Sequence, residues 1–301
     1  MYTPIYYDER MNVEGLGSYS PSAGKPKRLV ELLAHFDYRS YGPACLGKVE
    51  PIKKEDLYRV HDKHHVDQIF ALRRDNGFGN CDPRVPESRL WVAGSLLAAS
   101  RHAMRYPAAP VLSPTSGHHH ACWDEAAGFC PFNGLMVVAA ILQEENPTFK
   151  MAILDLDQHE GDGTENIMKH RPDLNVLHFT SGQSFHGDNP QEESLDFQFW
   201  LKSAIDEINA YQPDLVIAQL AADPWVDDPL GGYLTIEQLI QRDQAVFTGI
   251  RAPLAWCLAG GYSRSPDNSI FEDPVLRIHR NTLIESDKSV KVRETFFKES
   301  S

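Results

Sequence analysis

Four short apolar runs constrain this chain more than any other feature: MAILDLD at 151–157, NVLHFT at 175–180, LVIAQL at 215–220 and PLAWCLAG at 253–260. Each is too short for a buried helix, and none alternates apolar with polar residues as a strand with one wet face would. Strands that are apolar on both faces belong to a parallel sheet covered on both sides by helices. The segments between them supply those helices. Phe197, Leu201, Ala204, Ile205 and Ile208 recur at helical spacing, and Thr235 with Gln238 forms a capping box ahead of Leu239, Ile240 and Val246. Ser88–Tyr106 has the length and Ala/Leu content of a helix, and Arg28–Phe36 is a shorter helical pattern behind the Pro/Gly/Ser-rich loop Gly15–Lys27. Asn133 is placed to cap an apolar helix over Gly134–Glu145. No repeat or low-complexity linker divides the chain. The expectation is an α/β fold: a single domain over residues 1–301 with a central, mainly parallel sheet flanked by helices.

Composition narrows the function. No stretch approaches the ~18 consecutive apolar residues of a membrane span, and the N-terminus shows no basic start followed by an apolar core. The five cysteines, Cys45, Cys81, Cys122, Cys130 and Cys257, are odd in number, scattered and never in a CxxC pair. That pattern fits reduced thiols rather than a disulfide framework or a thiolate zinc site, and a cytoplasmic enzyme is the expectation. The net charge of −13 argues against sequence-independent nucleic-acid binding and suits a neutral or cationic substrate.

In parallel α/β sheets, sites gather beyond the carboxyl ends of strands. Here Asp155, Asp157 and His159 follow MAIL, Ala222 and Asp223 follow LVIAQL, and Gly260, Gly261 and Tyr262 follow PLAWCLA. His118, His119 and His120 follow PVLSP, which reads as a further short strand. Asp157 and His159, two residues apart at a strand end, project to one side and make half of an oxygen/nitrogen metal set. Asp223 is the natural third ligand, leaving an open position. Zn²⁺ suits this donor set, with Fe²⁺ or another divalent ion as alternatives. Against this stands a plainer reading, in which Asp155 and Asp157 cap a turn and His159 forms a hydrogen bond.

Hydrolysis at such a site needs a base for water, an acid for the leaving group and a donor to the oxyanion. Histidines serve the first two when a carboxylate fixes their tautomer, and Asp155 and Asp162 are the spare acids nearby. Tyr262, behind two glycines, can donate its phenol to a carbonyl, although a tyrosine so placed also serves as a hinge or packing residue. Three adjacent histidines rarely converge on one ion; taken alone, the triplet also reads as a solvated loop.

The blocks GHHHACWDEAAGFCPFN, ILDLDQHEGDGTEN, LAADPWVDDPLGG and LAGGY, in this order, resemble the histone deacetylase superfamily, which includes bacterial acetylpolyamine amidohydrolases and acetoin-utilisation-type proteins. The weaker GKPKRLVELL and DLYRVHDKHHVDQI segments extend the resemblance to about residues 20–285. It implies an arginase-like α/β fold with one Zn²⁺ held by Asp157, His159 and Asp223. It implies that His120 with Asp162 is the general base and acid, that His119 with Asp155 gives electrostatic support, and that His118 has a supporting or loop role. Tyr262 would polarise the amide carbonyl. Phe129 and Phe185 would wall an acyl-lysine tunnel, with Gly128, Leu230 and Gly260 among the substrate-contacting residues. A structural K⁺ would lie at Asp155 and the carbonyls around Asp157 and His159, with Ser181 completing it.

Some positions depart from the family pattern. Glu160 replaces a second histidine common after the metal histidine, Pro131 stands where an aromatic is common, and LAGGY has fewer glycines than the GGGGY form. Leu230 stands where polyamine-specific relatives place an acid, which favours acyl-lysine-like substrates. The expected function is a zinc-dependent deacylase acting on an acetyl- or acyl-lysine-like amide through metal-activated water. The alternatives are a deacetylase of small acetylated amines such as acetylpolyamines, and a metal-bound, non-catalytic binding protein. An arginase-like two-metal hydrolase would want extra Asp and His ligands. A homo-oligomer is compatible with all of these.

Overall fold

The structure is a computed structural model that describes residues 3–16, 18–20, 22–36 and 46–299. Cys45 and parts of the Gly15–Lys27 loop lie outside the described residues. Seven strands form one sheet: β1 (Ile5–Tyr6), β2 (Leu46–Gly47), β3 (Val111–Leu112), β4 (Met151–Asp155), β5 (Val176–Thr180), β6 (Leu215–Gln219) and β7 (Leu254–Cys257). Their order is β2-β1-β3-β7-β6-β4-β5, and every pairing is parallel. The four apolar runs are thus β4 to β7, and PVLSP contains β3. The two-residue strands β1 and β2 have no recognisable pattern of their own.

Alternation along these strands divides the core in two. Ala152, Leu154, Val216, Ala218, Leu254 and Trp256 face one way, packing with Phe197, Leu201, Leu239, Val246, Leu276 and Leu283. Met151, Ile153, Leu215, Ile217, Ala255 and Cys257 face the other way, packing with Leu96, Leu135, Val138 and Ile141. The first layer is covered by helices Lys25–Phe36, Pro190–Tyr211, Ile236–Gly249 and Pro274–Glu299; the second by Arg84–Arg105 and Gly134–Glu145. Each fully buried Leu, Ile or Phe contributes about 1.5–3 kcal/mol, so burial on both faces holds the sheet between its helices.

Asn133 caps its helix as expected, its side chain accepting from Met136 N, and Thr235 and Gln238 complete a reciprocal capping box. Arg84–Arg105 begins four residues before the expected Ser88. Pro86 reads as a breaker, but within a helix's first turn its missing N–H removes no helical bond.

Register places the site. Asp155 pairs with both Thr180 and Gln219, and Gln219 pairs with Cys257. The carboxyl ends of β4, β6 and β7 therefore lie side by side, and the loops that leave them meet above the sheet.

Candidate active site

Beyond β4 the chain turns sharply, and its carboxylates organise the turn. Asp155 Oδ1 accepts from Asp157 N at 3.2 Å, and Asp157 Oδ1 accepts from His159 N at 3.0 Å. Gly161 then leads into the helix Asp162–His170; a Cβ there would lie 2.7 Å from Asp155 Oδ2. Beyond β6, Asp223 is fully buried, with Oδ1 accepting from Gln158 N at 3.2 Å. Beyond β7, Gly260 N donates to Asp157 Oδ2 at 2.7 Å. The carbonyls of Ala259 and Gly260 accept from the buried ammonium of Lys25 at 2.6 and 2.9 Å.

These three loops bring Asp157, His159 and Asp223 together, with one donor atom from each inside a mutual 4.8 Å. His159 Nδ1 lies 3.1 Å from Asp157 Oδ1 and 3.3 Å from Asp223 Oδ2. Asp223 Oδ2 is buried, and this long contact to His159 is its one polar partner among the described residues. Burial and the neighbouring Asp157 charge push the Asp223 carboxyl up to about 7. Burial opposes ionisation of Asp157 too, but His119 and His159 overcome it and hold that carboxyl well below its ordinary value. The same carboxylates pull His159 up to about 11 against the effect of its burial. Two crowded, buried carboxylates sharing one imidazole are what a divalent cation relieves. The residues present fit such an ion.

The histidine triplet splits three ways, because adjacent side chains diverge. His118 is buried in the protein, its Nε2 3.1 Å from Thr115 Oγ1, and burial pushes it down to about 3. It is a packed interior residue rather than a solvated loop. His119 Nδ1 meets the buried Asp155 Oδ2 at 2.8 Å; burial lowers its basicity, but Asp155 and Asp157 raise it to about 9. His120 Nδ1 meets Asp162 Oδ1 at 2.7 Å nearer the surface. The His119 and His120 rings lie 4.1 Å apart. Gly128, with φ +52°, leaves room for the His120 ring, which a Cβ there would overlap.

Tyr262 is held by its backbone, whose N–H donates to Asp228 Oδ2 at 2.8 Å. Its ring centroid lies 6.0 Å from that of His159 and 6.1 Å from that of Phe129. Burial, then Asp223 and Asp157, raise its phenol far above the ordinary value, so it stays protonated. The Phe129 ring meets those of Phe78 and Tyr262, and Tyr19 stacks on Tyr262.

Phe185 is not part of this wall. It is 6% exposed and packs in the core against Phe197, Trp200 and Tyr233. The 3₁₀ turn Ser181–Gln183 turns the chain there, Phe185 N donating to Ser181 O at 3.1 Å, and the large apolar ring goes inward. Beside His120 and His159 lies instead a depression of about 410 Å³, lined also by Gln158, Glu160, Asp162, Gly182, His186 and Leu230. Leu230 thus reaches the rim, and the polar His186 stands near where the second aromatic wall was expected. At the candidate K⁺ site, Ser181 Oγ donates to Asp157 O at 3.1 Å, and Gly182 packs against His159 O.

Lys25, Asp228 and His186 escaped sequence reasoning. Lys25 stands in the GKPKRL segment, where a lysine reads as solvated, and only its burial against the β7 loop reveals its role in holding that loop.

The histone deacetylase domain model matches residues 22–195. The chain is 33% identical over 137 residues to a histone deacetylase-like amidohydrolase of Pseudomonas aeruginosa, covering 43% of this chain and 36% of that protein. It is 30% identical over 141 residues to acetylpolyamine amidohydrolase 2 of the same organism, covering 38% and 40% respectively. These alignments span well under two thirds of either relative. With histone deacetylase 2 of Arabidopsis thaliana it is 25% identical over 325 residues, covering 94% of this chain and 83% of the relative. The crystal structure of an HDA15 HD domain superposes with a TM-score of 0.73 at 21% identity, covering 96% of this chain and 88% of that one, a likeness of fold. Family model, fold and strand-end residues agree: this chain belongs to the histone deacetylase family.

Proposed function

We propose that this protein is a zinc-dependent deacylase that hydrolyses the amide of an acetyl- or acyl-lysine-like amine. The observation that carries the reading is the meeting, on one rim of the sheet, of the Asp157–His159–Asp223 donor set with His119, His120 and Tyr262. A divalent ion held by those three residues supplies Lewis-acid polarisation of the acyl carbonyl and an acidified water.

The chain's own groups do the rest. Tyr262, protonated and backed by Gly261, donates its phenol O–H to the acyl oxygen, where negative charge develops. One such donor is typically worth ~10²–10³ in rate. His120 donates Nδ1–H to Asp162, which leaves the Nε2 lone pair to take a proton from the attacking water and deliver it to the departing amine nitrogen. His119, held deeper by Asp155, adds positive charge beside the developing oxyanion. Phe129 and Tyr262 flank the acyl chain and keep bulk water from it. A monovalent cation at Asp155, Asp157 and Ser181 would brace the β4 turn that carries two of the ligands.

The test is a substrate panel varying acyl group and amine independently, run with metal analysis on the same preparation. Metal at one equivalent with turnover of acyl amides is expected, and Tyr262→Phe and His120→Ala should each lose most of that turnover while remaining folded. Near-wild-type turnover in either variant would remove its assigned role, and no turnover of any acyl amide by the metal-loaded protein would sink the reading.

A further inference from the structure

The turn that carries Tyr262 has an uncommon backbone, and two buried side chains hold it by opposite chemistry. Ala259 lies at φ +50°, which strains a residue with a Cβ, and Gly261 lies at φ +126°, where a Cβ would also crowd Ala222 and Val275. The Lys25 ammonium donates to the carbonyls of Ala259 and Gly260. Asp228 takes the amides that follow: its Oδ2 accepts from Tyr262 N at 2.8 Å and from Ser263 N at 3.3 Å. The other oxygen, Oδ1, accepts from Leu230 N at 3.1 Å. Asp228 is itself fixed, since its N–H donates to Trp225 O and its carbonyl accepts from Gly231 N. One buried carboxylate thus ties the loop after β6, which places Leu230 at the rim of the depression, to the loop after β7.

The Tyr262 ring has no polar anchor of its own. Its phenol makes no hydrogen bond to a described residue, and its ring neighbours are His159, Phe129 and Tyr19. Ring contacts are tolerant of sliding, whereas a misplacement of about 1 Å at a reacting centre typically costs ~10²-fold in rate. What fixes the point from which the ring leaves the chain is the backbone at 262 and 263. Among the described residues, Asp228 is the side chain bonded to those two amides. Building on the deacylase reading, we propose that Asp228 is a positioning residue that acts through Tyr262, setting where the phenol stands relative to His159. The donor is then supplied by the loop after β7 but aimed by the loop after β6, the same loop that carries Asp223. A carboxylate that merely stabilised the turn would lower turnover whether or not the phenol is present.

A double-mutant cycle separates the two roles. Asp228→Asn is nearly isosteric, but its Nδ2 is a donor, so it accepts from only one of the two loops. At saturating Zn²⁺ it should lower kcat for an acetyl-lysine peptide by about tenfold or more, with KM changed by less than about twofold. In a Tyr262→Phe background, which lacks the phenol, the same substitution should alter the residual kcat by less than about twofold. Equal fold losses in both backgrounds would overturn the proposal, and so would wild-type kcat in Asp228→Asn. If the asparagine variant does not fold, Asp228→Glu, which keeps the charge but advances the carboxylate by one methylene, takes its place with the same non-additivity expected. Failure of the wild type to turn over any acyl amide falls on the deacylase reading instead. Hydrogen exchange, which needs no turnover, then decides the inference. Exchange at the Tyr262 and Ser263 amides about tenfold faster or more in the Asp228 variant, with the helices unchanged, supports it, and unchanged exchange at those amides overturns it.

Discussion

Gly260 lies against Asp223 with no space between them: a Cβ on the glycine would overlap the carboxylate Oδ2, while the Gly260 N–H donates to Asp157 Oδ2 at 2.7 Å. One backbone residue thus sets the separation of two proposed metal ligands. Gly260→Ala should displace the Asp223 side chain and weaken divalent-ion affinity by about 10–100-fold, the usual cost of disturbing a ligand's support. Competition titration with a chromophoric chelator measures this, and an alanine variant with wild-type affinity would show that the glycine is not needed for that spacing.

Asp155 and Asp162 each bond a histidine of the same pair, but in different surroundings. Asp155 is fully buried, whereas the Asp162 side chain is 58% exposed. Asp155→Asn leaves His119 uncompensated in the interior and should cost roughly 3–5 kcal/mol of stability. Asp162→Asn should lower kcat by about 10–100-fold through loss of the His120 tautomer, with a much smaller change in denaturation midpoint. Denaturant melts and steady-state kinetics on both variants separate the two, and a reversed pattern would contradict the geometry.

Phe129 and Phe185 should behave as opposites. Phe185→Ala removes a ring from the core cluster and should destabilise by about 3–5 kcal/mol without a specific rise in KM. Phe129→Ala should raise KM for acyl amides more than it lowers the melting temperature, since Phe129 is only half-buried. A strong KM effect for Phe185→Ala in protein of unchanged stability would return that residue to the substrate wall.

Acid sensitivity should come from buried neutral histidines. Burial pushes His61 and His118 down to about 3 and His65 and His178 down to about 4. The unfolded chain takes up these protons near pH 6.5 while the folded one does not. Their contribution is therefore complete above about pH 6.5 and is lost progressively as pH falls towards 3–4. His119 and His159, pulled up to about 9 and 11, oppose this near pH 6.5, where the unfolded chain has yet to take up all of their protons, and add no slope by about pH 5; Asp223, raised to about 7, offsets one further proton in the metal-free protein. Denaturant midpoints of metal-free protein should fall from pH 6.5 to 5, and a flat profile would mean that these rings are not buried neutral.

The reach of the sequence can be judged residue by residue. The strands β4 to β7 were readable because each is apolar on both faces, and the helix over Gly134–Glu145 because Asn133 announces it. Strands β1 and β2 were not, since two residues hold no period, and the pairing of β1 with β2 on one side and β3 on the other is a long-range fact. Phe185 was misplaced by its motif context: an aromatic beside a polar turn goes to substrate or core according to which side the turn closes, and Ser181–Gln183 closes it inward. His118 was separable from its neighbours by motif, but that it is a buried ring bonded to Thr115 followed only from the packing of Gly134 against it.

By itself the sequence determined the chemistry available: acids, imidazoles and a phenol following buried strands, in blocks whose order is that of one family. Those are properties of residue type and local period, which the chain carries before it folds. Only the tertiary structure decided that the ends of β4, β6 and β7 adjoin, that Gly260 spaces Asp157 from Asp223, and that Glu160 rather than Phe185 lines the depression beside His120. Each of these depends on strand order and on which way a side chain turns against its neighbours, and packing between residues far apart in sequence sets both.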